Sequence, residues 1–371
     1  MGLTVMGKID WSPPEISNDD RMAMKAVIDS GWMSEGKATE EFEAALAKRI
    51  GCRHAIVTNN GTSALLAALW GNGIGNGAEV VVPAYTFIAS VNTPNAVGAK
   101  SVLCDSNPKT LNTEPEFMKQ VLTSNTRAIM PVDIAGMPID MGAFEDFAKD
   151  NGLVLIEDGA EAIGARYRGR NVGNSDHATV FSFHMAKLIT SIEGGCMATN
   201  DDVLAEKVRM IKNHGTHKKE AKTNFFGFGL NFRTTDVQSA LGLSQLSRLN
   251  HFLKRRNEVA RIYSQELDGL VGMQQVPEYV SVHARMFFPI FVEARKRDAI
   301  DAALNRMGVS TRICWPPAHK QPYHRRLFPD EKFPNSEMIG DTIIAIPMGN
   351  STTDEEAKTV ADAVKKAVGE N

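Results

Sequence analysis

His54-Ala55-Ile56-Val57-Thr58-Asn59-Asn60-Gly61-Thr62-Ser63-Ala64-Leu65 runs from a short apolar segment, through a polar turn, into an Ala- and Leu-rich stretch. It reads as a strand at 54–58 followed by a helix at 62–70, and the same alternation continues on its C-terminal side. Strands are expected at 79–83, 101–105, 126–132 and 153–158, with helices at 89–97 and 141–149 between them. Continuous apolar strands separated by helices specify a mostly parallel sheet covered on both faces. Further on, 236–267 reads as one long helical stretch leading out of that domain. Short strands at 286–292, 309–313 and 343–347, with helices at 296–307 and 353–368, form a smaller α/β domain. The boundary falls near 250, giving a large domain over 1–250 and a small one over 251–371. Two domains also suit a chain of 371 residues.

Composition narrows the functional classes. The chain is 43% hydrophobic and 23% charged, with a formal charge of −3. No basic footprint for nucleic acid accompanies that balance. The run Lys218-Lys219-Glu220-Ala221-Lys222 reads as a solvated loop. Cys52, Cys104, Cys196 and Cys314 are widely separated, which argues against a zinc site or a disulfide framework and for reduced, structural thiols. No metal is expected. Met1-Gly2-Leu3-Thr4-Val5-Met6 lacks the apolar core of a signal peptide and has Met6 where a myristoylation signal needs Ser or Thr. No apolar run approaches the ~18–20 residues of a membrane span. A soluble cytoplasmic protein is the expectation.

In open parallel sheets, ligands bind beyond the carboxyl ends of the strands. Beyond 54–58 lie Gly61, Thr62 and Ser63 at a helix start, where free N–H groups and hydroxyls suit a phosphate. An N-cap by Thr62 or Ser63 is the plainer reading of that segment alone. Gly71-Asn72-Gly73-Ile74-Gly75-Asn76-Gly77 imitates a dinucleotide fingerprint but follows a helix and precedes a strand, the reverse of what that turn requires. Beyond 153–156 come Glu157-Asp158-Gly159-Ala160-Glu161, carboxylates at a strand end, which alone could equally be a cap or a salt bridge. Val180-Phe181-Ser182-Phe183-His184-Met185-Ala186-Lys187 then delivers Ser182 and His184 to one side and presents Lys187 in a turn. Met185, Ala186, Leu188 and Ile189 would box that lysine in, and desolvation keeps part of a lysine neutral and nucleophilic. A phosphate cradle, an acid for a pyridinium nitrogen and a lysine for an aldehyde are what pyridoxal phosphate (PLP) requires. Phe87 lies at a further strand end and can stack on the ring, although core packing is the commoner fate of a Phe.

These segments carry a family likeness. Together with Ser30-Gly31-Trp32-Met33-Ser34, Val82-Pro83-Ala84-Tyr85-Thr86-Phe87, Glu193-Gly194-Gly195 and Leu230-Asn231-Phe232-Arg233-Thr234-Thr235-Asp236, the chain resembles the DegT/DnrJ/EryC1/StrS aminotransferases. These are fold-type-I PLP enzymes that aminate keto-sugars. The resemblance implies that Lys187 carries the cofactor and Asp158 partners the pyridine nitrogen. It makes Thr62, Ser63 and Ser182 phosphate contacts, and Phe87 the stacking ring. Glu161 stands where many members have a Gln contacting the cofactor's phenolic oxygen, and Glu there marks a perosamine-synthase-like branch, as Gly31-Trp32 also does. Asn231 matches a residue that reaches the neighbouring subunit's phosphate, so a homodimer is implied, with Arg233 beside it to seat an amino donor's carboxylate.

Asp133-Ile134-Ala135-Gly136 departs from the His and aromatic common in members, in a region that faces substrate in relatives. An offshoot of the family replaces the lysine with His and becomes a dehydratase; Lys187 argues against that fate. His184 reads as packed or backbone-bonded. The implied reaction takes an amino group from glutamate or glutamine, releases 2-oxoglutarate in the glutamate case, and passes the group to a keto-sugar on a nucleotide, a 4-keto-6-deoxyhexose. Arg312, His319 and Lys320 are candidates for the diphosphate. An aminotransferase acting on a keto-inositol, and a PLP-binding regulatory or sensor protein, are the alternatives.

Overall fold

The computed structural model describes residues 8–217 and 224–370. The basic run at 218–222 and the start at 1–6 lie outside the described residues. Helices α1 (Asn18–Asp29) and α2 (Lys37–Ile50) precede strand β1 (His54–Thr58). Next come α3 (Gly61–Gly71), β2 (Glu79–Pro83), α4 (Ile88–Ala96), β3 (Lys100–Cys104), α5 (Pro115–Lys119), β4 (Thr126–Ile129), α6 (Met141–Asp150) and β5 (Val154–Asp158). Two short strands, β6 (Arg166–Tyr167) and β7 (Arg170–Asn171), lead to β8 (Ala178–Ser182) and β9 (Gly195–Thr199). After α7 (Asp202–Lys212), α8 (Asp236–Ser247) and α9 (Leu249–Glu266) come β10 (Gly272–Met273), β11 (Val280–Val282) and β12 (Phe288–Phe291). The chain closes with α10 (Arg297–Arg306), α11 (Pro334–Thr342), β13 (Ile343–Ile346) and α12 (Asp354–Glu370).

Seven strands form the central sheet in the order β1-β9-β8-β5-β4-β2-β3. β9 runs antiparallel to both neighbours and the remaining pairs are parallel. Successive side chains alternate between the two faces, so each strand feeds two cores. Val57, Val81, Ile129, Leu155 and Phe181 join Phe42 and Leu46 of α2 and Phe144 of α6 on one face. Ile56, Val80, Val82, Ile156 and Val180 join α3 and α7 on the other. Each such Val, Leu or Ile contributes roughly 1.5–3 kcal/mol by leaving water, which is why these strands are apolar throughout.

The smaller sheet, β10-β12-β13, is antiparallel. Val259, Tyr263, Ile290, Ile300, Ile344, Val360 and Val364 build its core with α9, α10 and α12. The N-terminal segment also docks there: Ile9 bridges Val309, and Met348 N–H donates to the Trp11 carbonyl. Leu249, Phe252 and Leu253 at the start of α9 pack in the large sheet's core, so this helix runs from one core into the other.

Two expected elements differ. The long helix over 236–267 is two helices meeting at Arg248 (φ −99°, ψ 1°). Arg248 is tied there to Glu15 at 2.7 Å and Asp20 at 2.5 Å, partners that no local pattern reveals. The stretch 309–313 is not a strand: it makes only single bridges, Val309 to Ile9 and Arg312 to Ala345.

Candidate active site

Asp158 ends β5 and, following Ile156 by two residues, points to the α3–α4 side of the sheet. It is 4% exposed. Ser90 Oγ of α4 donates to Asp158 Oδ2 at 2.6 Å, and the Ala160 N–H donates to Oδ1 at 3.2 Å. Thr86 and Ser90 share a hydroxyl bond of 2.9 Å behind this contact. Burial raises the Asp158 pKa, while the Ser90 and Ala160 bonds and the charge of Lys187 act to lower it. The result is a buried acid with a donor on each of its two oxygens.

Ser182 ends β8, and the chain then turns through His184 to Lys187. The turn is closed by Lys187 N–H donating to the His184 carbonyl at 2.8 Å and by Ala186 N–H donating to His184 Nδ1 at 3.2 Å. His184 is therefore bonded to backbone. Lys187 Nζ reaches Glu161 Oε1 at 3.1 Å. The other oxygen, Oε2, accepts from the Ala135 N–H at 2.9 Å. The expected apolar box is not what surrounds Nζ: Leu188 and Ile189 point into the core, Met185 is half exposed, and a carboxylate faces the amine.

The turn that holds Glu161 is forced. Ala135 has φ +59° and Gly136 φ +78°, and a Cβ on Gly136 would lie 2.5 Å from the Glu161 carbonyl oxygen. Asp133, beside it, is fully buried and accepts from Ile139 N–H at 2.9 Å. Its other oxygen, Oδ2, is buried without a hydrogen-bond partner. Burial, with Glu157 nearby, holds the Asp133 carboxyl well above its ordinary range.

The cap of α3 is Asn60, whose side chain accepts the Ser63 N–H at 2.8 Å, not Thr62 or Ser63. Gly61 and Thr62 N–H remain among the helix's first-turn donors, which have no partner within the helix. A Cβ on Gly61 would stand 3.1 Å from Ser182 Cβ, so the helix start and Ser182 adjoin. Phe87, at the start of α4, keeps its ring 53% exposed, 5.7 Å from the Trp315 ring. Free N–H groups with hydroxyls, an exposed ring face, a buried acid and an accessible lysine fit PLP part by part.

The outlying candidates are placed differently. Asn231 is exposed; its Oδ1 accepts from Arg233 N–H at 3.3 Å, and Arg233 donates to Asn213 Oδ1 at 2.5 Å. Arg312 is exposed. His319 and Lys320 are both engaged by Glu337, at 3.0 and 2.8 Å. Ser90 belongs to the site's frame and went unread in the sequence, and Thr86, Asn60 and Gly195, quoted there only within longer motifs, had no role of their own. The spacing of Thr86 and Ser90, four residues apart across a helix start, was the available signal.

This arrangement defines a fold-type-I PLP-dependent aminotransferase. The chain belongs to the DegT/DnrJ/EryC1/StrS aminotransferase family, whose model matches residues 14–365. Among solved structures it is similar to DesV of S. venezuelae, at 31% identity over 98% of this chain and 99% of that one, with a TM-score of 0.93. It is also similar to Helicobacter pylori PseC, an aminotransferase involved in pseudoaminic acid biosynthesis (27% identity, 98% and 100% covered, TM-score 0.92). A Streptococcus pneumoniae structure in its PLP form matches at 25% identity, 98% and 99% covered, with a TM-score of 0.92. No helix among the described residues is long and apolar enough to cross a membrane.

Proposed function

We propose that the enzyme transfers an amino group from glutamate or glutamine to a nucleotide-linked keto-deoxy-sugar, a 4-keto-6-deoxyhexose. The observation that carries this reading is Lys187 Nζ set 3.1 Å from Glu161, on the same sheet edge as Asp158. The kinship with PseC supports a sugar as the acceptor. When bound, PLP supplies an electron sink that makes the carbon next to the amino nitrogen acidic. Lys187 Nζ would hold the cofactor through its aldehyde group, and the free amine would be the group that moves the proton. Glu161 orients that amine between turns of the reaction. Asp158 presents a carboxylate to the ring nitrogen and keeps it protonated, while Gly61, Thr62, Ser63 and Ser182 bind the phosphate and Phe87 covers the ring.

The working unit in this proposal is a homodimer, with Asn231 of the partner subunit completing each phosphate site. Exposed apolar side chains support it: Trp32, Met33, Ile192, Phe228 and Leu230. Several are tied to the start of α8, where Asp236 N–H donates to the Met33 carbonyl at 3.0 Å and Gln238 donates to the Glu193 carbonyl at 2.7 Å. Exposed apolar side chains near one helix start suit a subunit contact, which is what supports the dimer in this reading. Arg233 and Arg312 remain as candidates for the donor carboxylate and the diphosphate. His319 and Lys320 are weaker ones, given their bonds to Glu337.

The test is spectroscopic. The purified protein should carry the visible band of lysine-bound PLP, and glutamate should bleach it. The aminated enzyme is then offered nucleotide keto-sugars and, separately, a keto-inositol. Recovery of the band with the nucleotide sugar alone supports the reading; recovery only with keto-inositol replaces it with the cyclitol alternative. Undiminished activity in Lys187→Ala would sink the mechanism.

A further inference from the structure

Arg285 lies on the segment joining β11 to β12, where the small sheet meets the large one. Its backbone is held in the left-handed region, φ +55°. The neighbours fix it: Ala284 N–H donates to the Gly136 carbonyl at 3.0 Å and Met286 N–H to the Ala135 carbonyl at 2.9 Å. Arg285 itself donates its N–H to His283 Nδ1 at 3.0 Å and accepts at its carbonyl from Arg256, also at 3.0 Å.

Its side chain lines a two-lobed cleft, with lobes of about 290 and 340 Å3 that share Val276 and Arg285. Ser264, Gln274 and Gln275 line one lobe; Lys254, Asn257 and Ser281 line the other. Among the described residues no Asp or Glu borders either lobe. The Nε of Arg285 is buried without a hydrogen-bond partner. Burial brings its pKa down to about 10. A guanidinium withdrawn from water without a carboxylate is costly, and a planar fork of donors suits an oxyanion bidentately. Lys254, also lining the second lobe, is a largely exposed charge 3.9 Å from Glu258. The Asn257 and Gln274 amides are already bonded to backbone carbonyls, so recognition rests chiefly on Arg285.

We propose that this cleft is a binding site for a small anion, recognised through phosphate or carboxylate oxygens by Arg285 and Lys254. None of its lining residues is among those assigned to the PLP site. Its floor is shared with the active site, because the residues flanking Arg285 hold the Ala135–Gly136 turn, and that turn holds Glu161.

The PLP-loaded protein, in which the catalytic phosphate cradle is filled, is titrated by calorimetry with inorganic phosphate and with malonate at constant ionic strength. Saturable binding of either is expected, and the tighter of the two identifies phosphate or carboxylate as the source. Arg285→Gln should weaken it at least tenfold and Lys254→Gln by a smaller factor. The same anion should raise the melting temperature of the wild type, and this readout with Lys254→Gln carries the test if Arg285→Gln does not fold. Absence of saturable binding and of thermal protection in the wild type overturns the proposal. Equal binding by the wild type and the variants does so too, since the ion then sits elsewhere.

Discussion

Glu161 holds Lys187 with one carboxylate oxygen, 3.1 Å from Nζ, and the Ala135 N–H with the other, at 2.9 Å. Both partners are donors. In Glu161→Gln the amide has one acceptor, so its NH2 must face either the lysine or the Ala135 N–H. One hydrogen bond to a charged group is worth about 1.5–3 kcal/mol. The expected outcome is a fall in kcat of roughly ten- to a hundredfold. PLP retention after dialysis should persist, because the phosphate contacts are untouched. Steady-state kinetics and cofactor absorbance check this; an unchanged kcat would show that Lys187 needs no carboxylate beside it.

The second prediction concerns Asp158, whose pKa is raised from 3.8, chiefly by burial. A group whose folded value is raised stabilises the fold most below its unfolded value, and that contribution is lost as pH climbs through the folded value. Apo-protein stability should therefore decline as pH rises above about 4 and then level off. Asp133, also raised by burial, adds a decline of the same sign. The difference between wild type and Asp158→Asn isolates Asp158: the apo variant should be the more stable at neutral pH and yet retain PLP less well. Urea unfolding of apo-protein between about pH 4 and 8 reads it. Ser90→Ala should likewise weaken PLP retention, and Ser90→Thr should restore it, because the 2.6 Å donor to Asp158 returns.

Gly195 opens β9 directly against the start of α3. A Cβ there would lie 2.4 Å from the Asn60 carbonyl carbon and oxygen and 2.6 Å from Gly61 N. All three are backbone atoms and none can swing away. Gly195→Ala should displace the phosphate-binding turn, lose PLP and cost about 3 kcal/mol or more of stability. Gly75→Ala, whose new Cβ would meet only the Val97 carbonyl at 3.5 Å, is the control and should be near neutral. Thermal melts with cofactor content per chain decide the comparison.

What could be read from the chain follows from locality. The buried parallel strands were legible because each is a continuous apolar run, and a parallel sheet then delivers Gly61, Asp158 and Ser182 to one edge. The reversal at β9 was not, since Gly195-Cys196-Met197-Ala198-Thr199 looks like the others and only its pairing with Val57 and Phe181 gives its direction. The break between α8 and α9 depends on Arg248 finding Glu15 and Asp20 across more than 220 positions. Lys187 looked apolar in its surroundings because its sequence neighbours are; the carboxylate that meets it comes from a different strand end. That Asp133 is buried and accepts from Ile139 N–H was equally invisible in the local pattern.

The last prediction separates two roles for His319 and Lys320. Glu337 accepts from both, and the bond from Lys320, followed by that from His319, holds its carboxyl down at about 2. Burial lowers the His319 pKa below 6.5, against the pull of Glu337. Both groups are depressed, so both stabilising contributions are present above the unfolded values and fade in acid: the His319 part as pH falls below 6.5, the Glu337 part as it falls from 4.5 toward about 2. Hydrogen exchange in residues 318–328 should accelerate in those two stages, and Glu337→Gln should lose the lower one and exchange faster at neutral pH. Lys320→Met then decides between tether and ligand contact. Faster exchange with an unchanged KM for the nucleotide sugar makes Lys320 a tether of this segment, with a cost near the ~0–1 kcal/mol of a partly exposed pair. A raised KM with unchanged exchange would instead return it to the diphosphate.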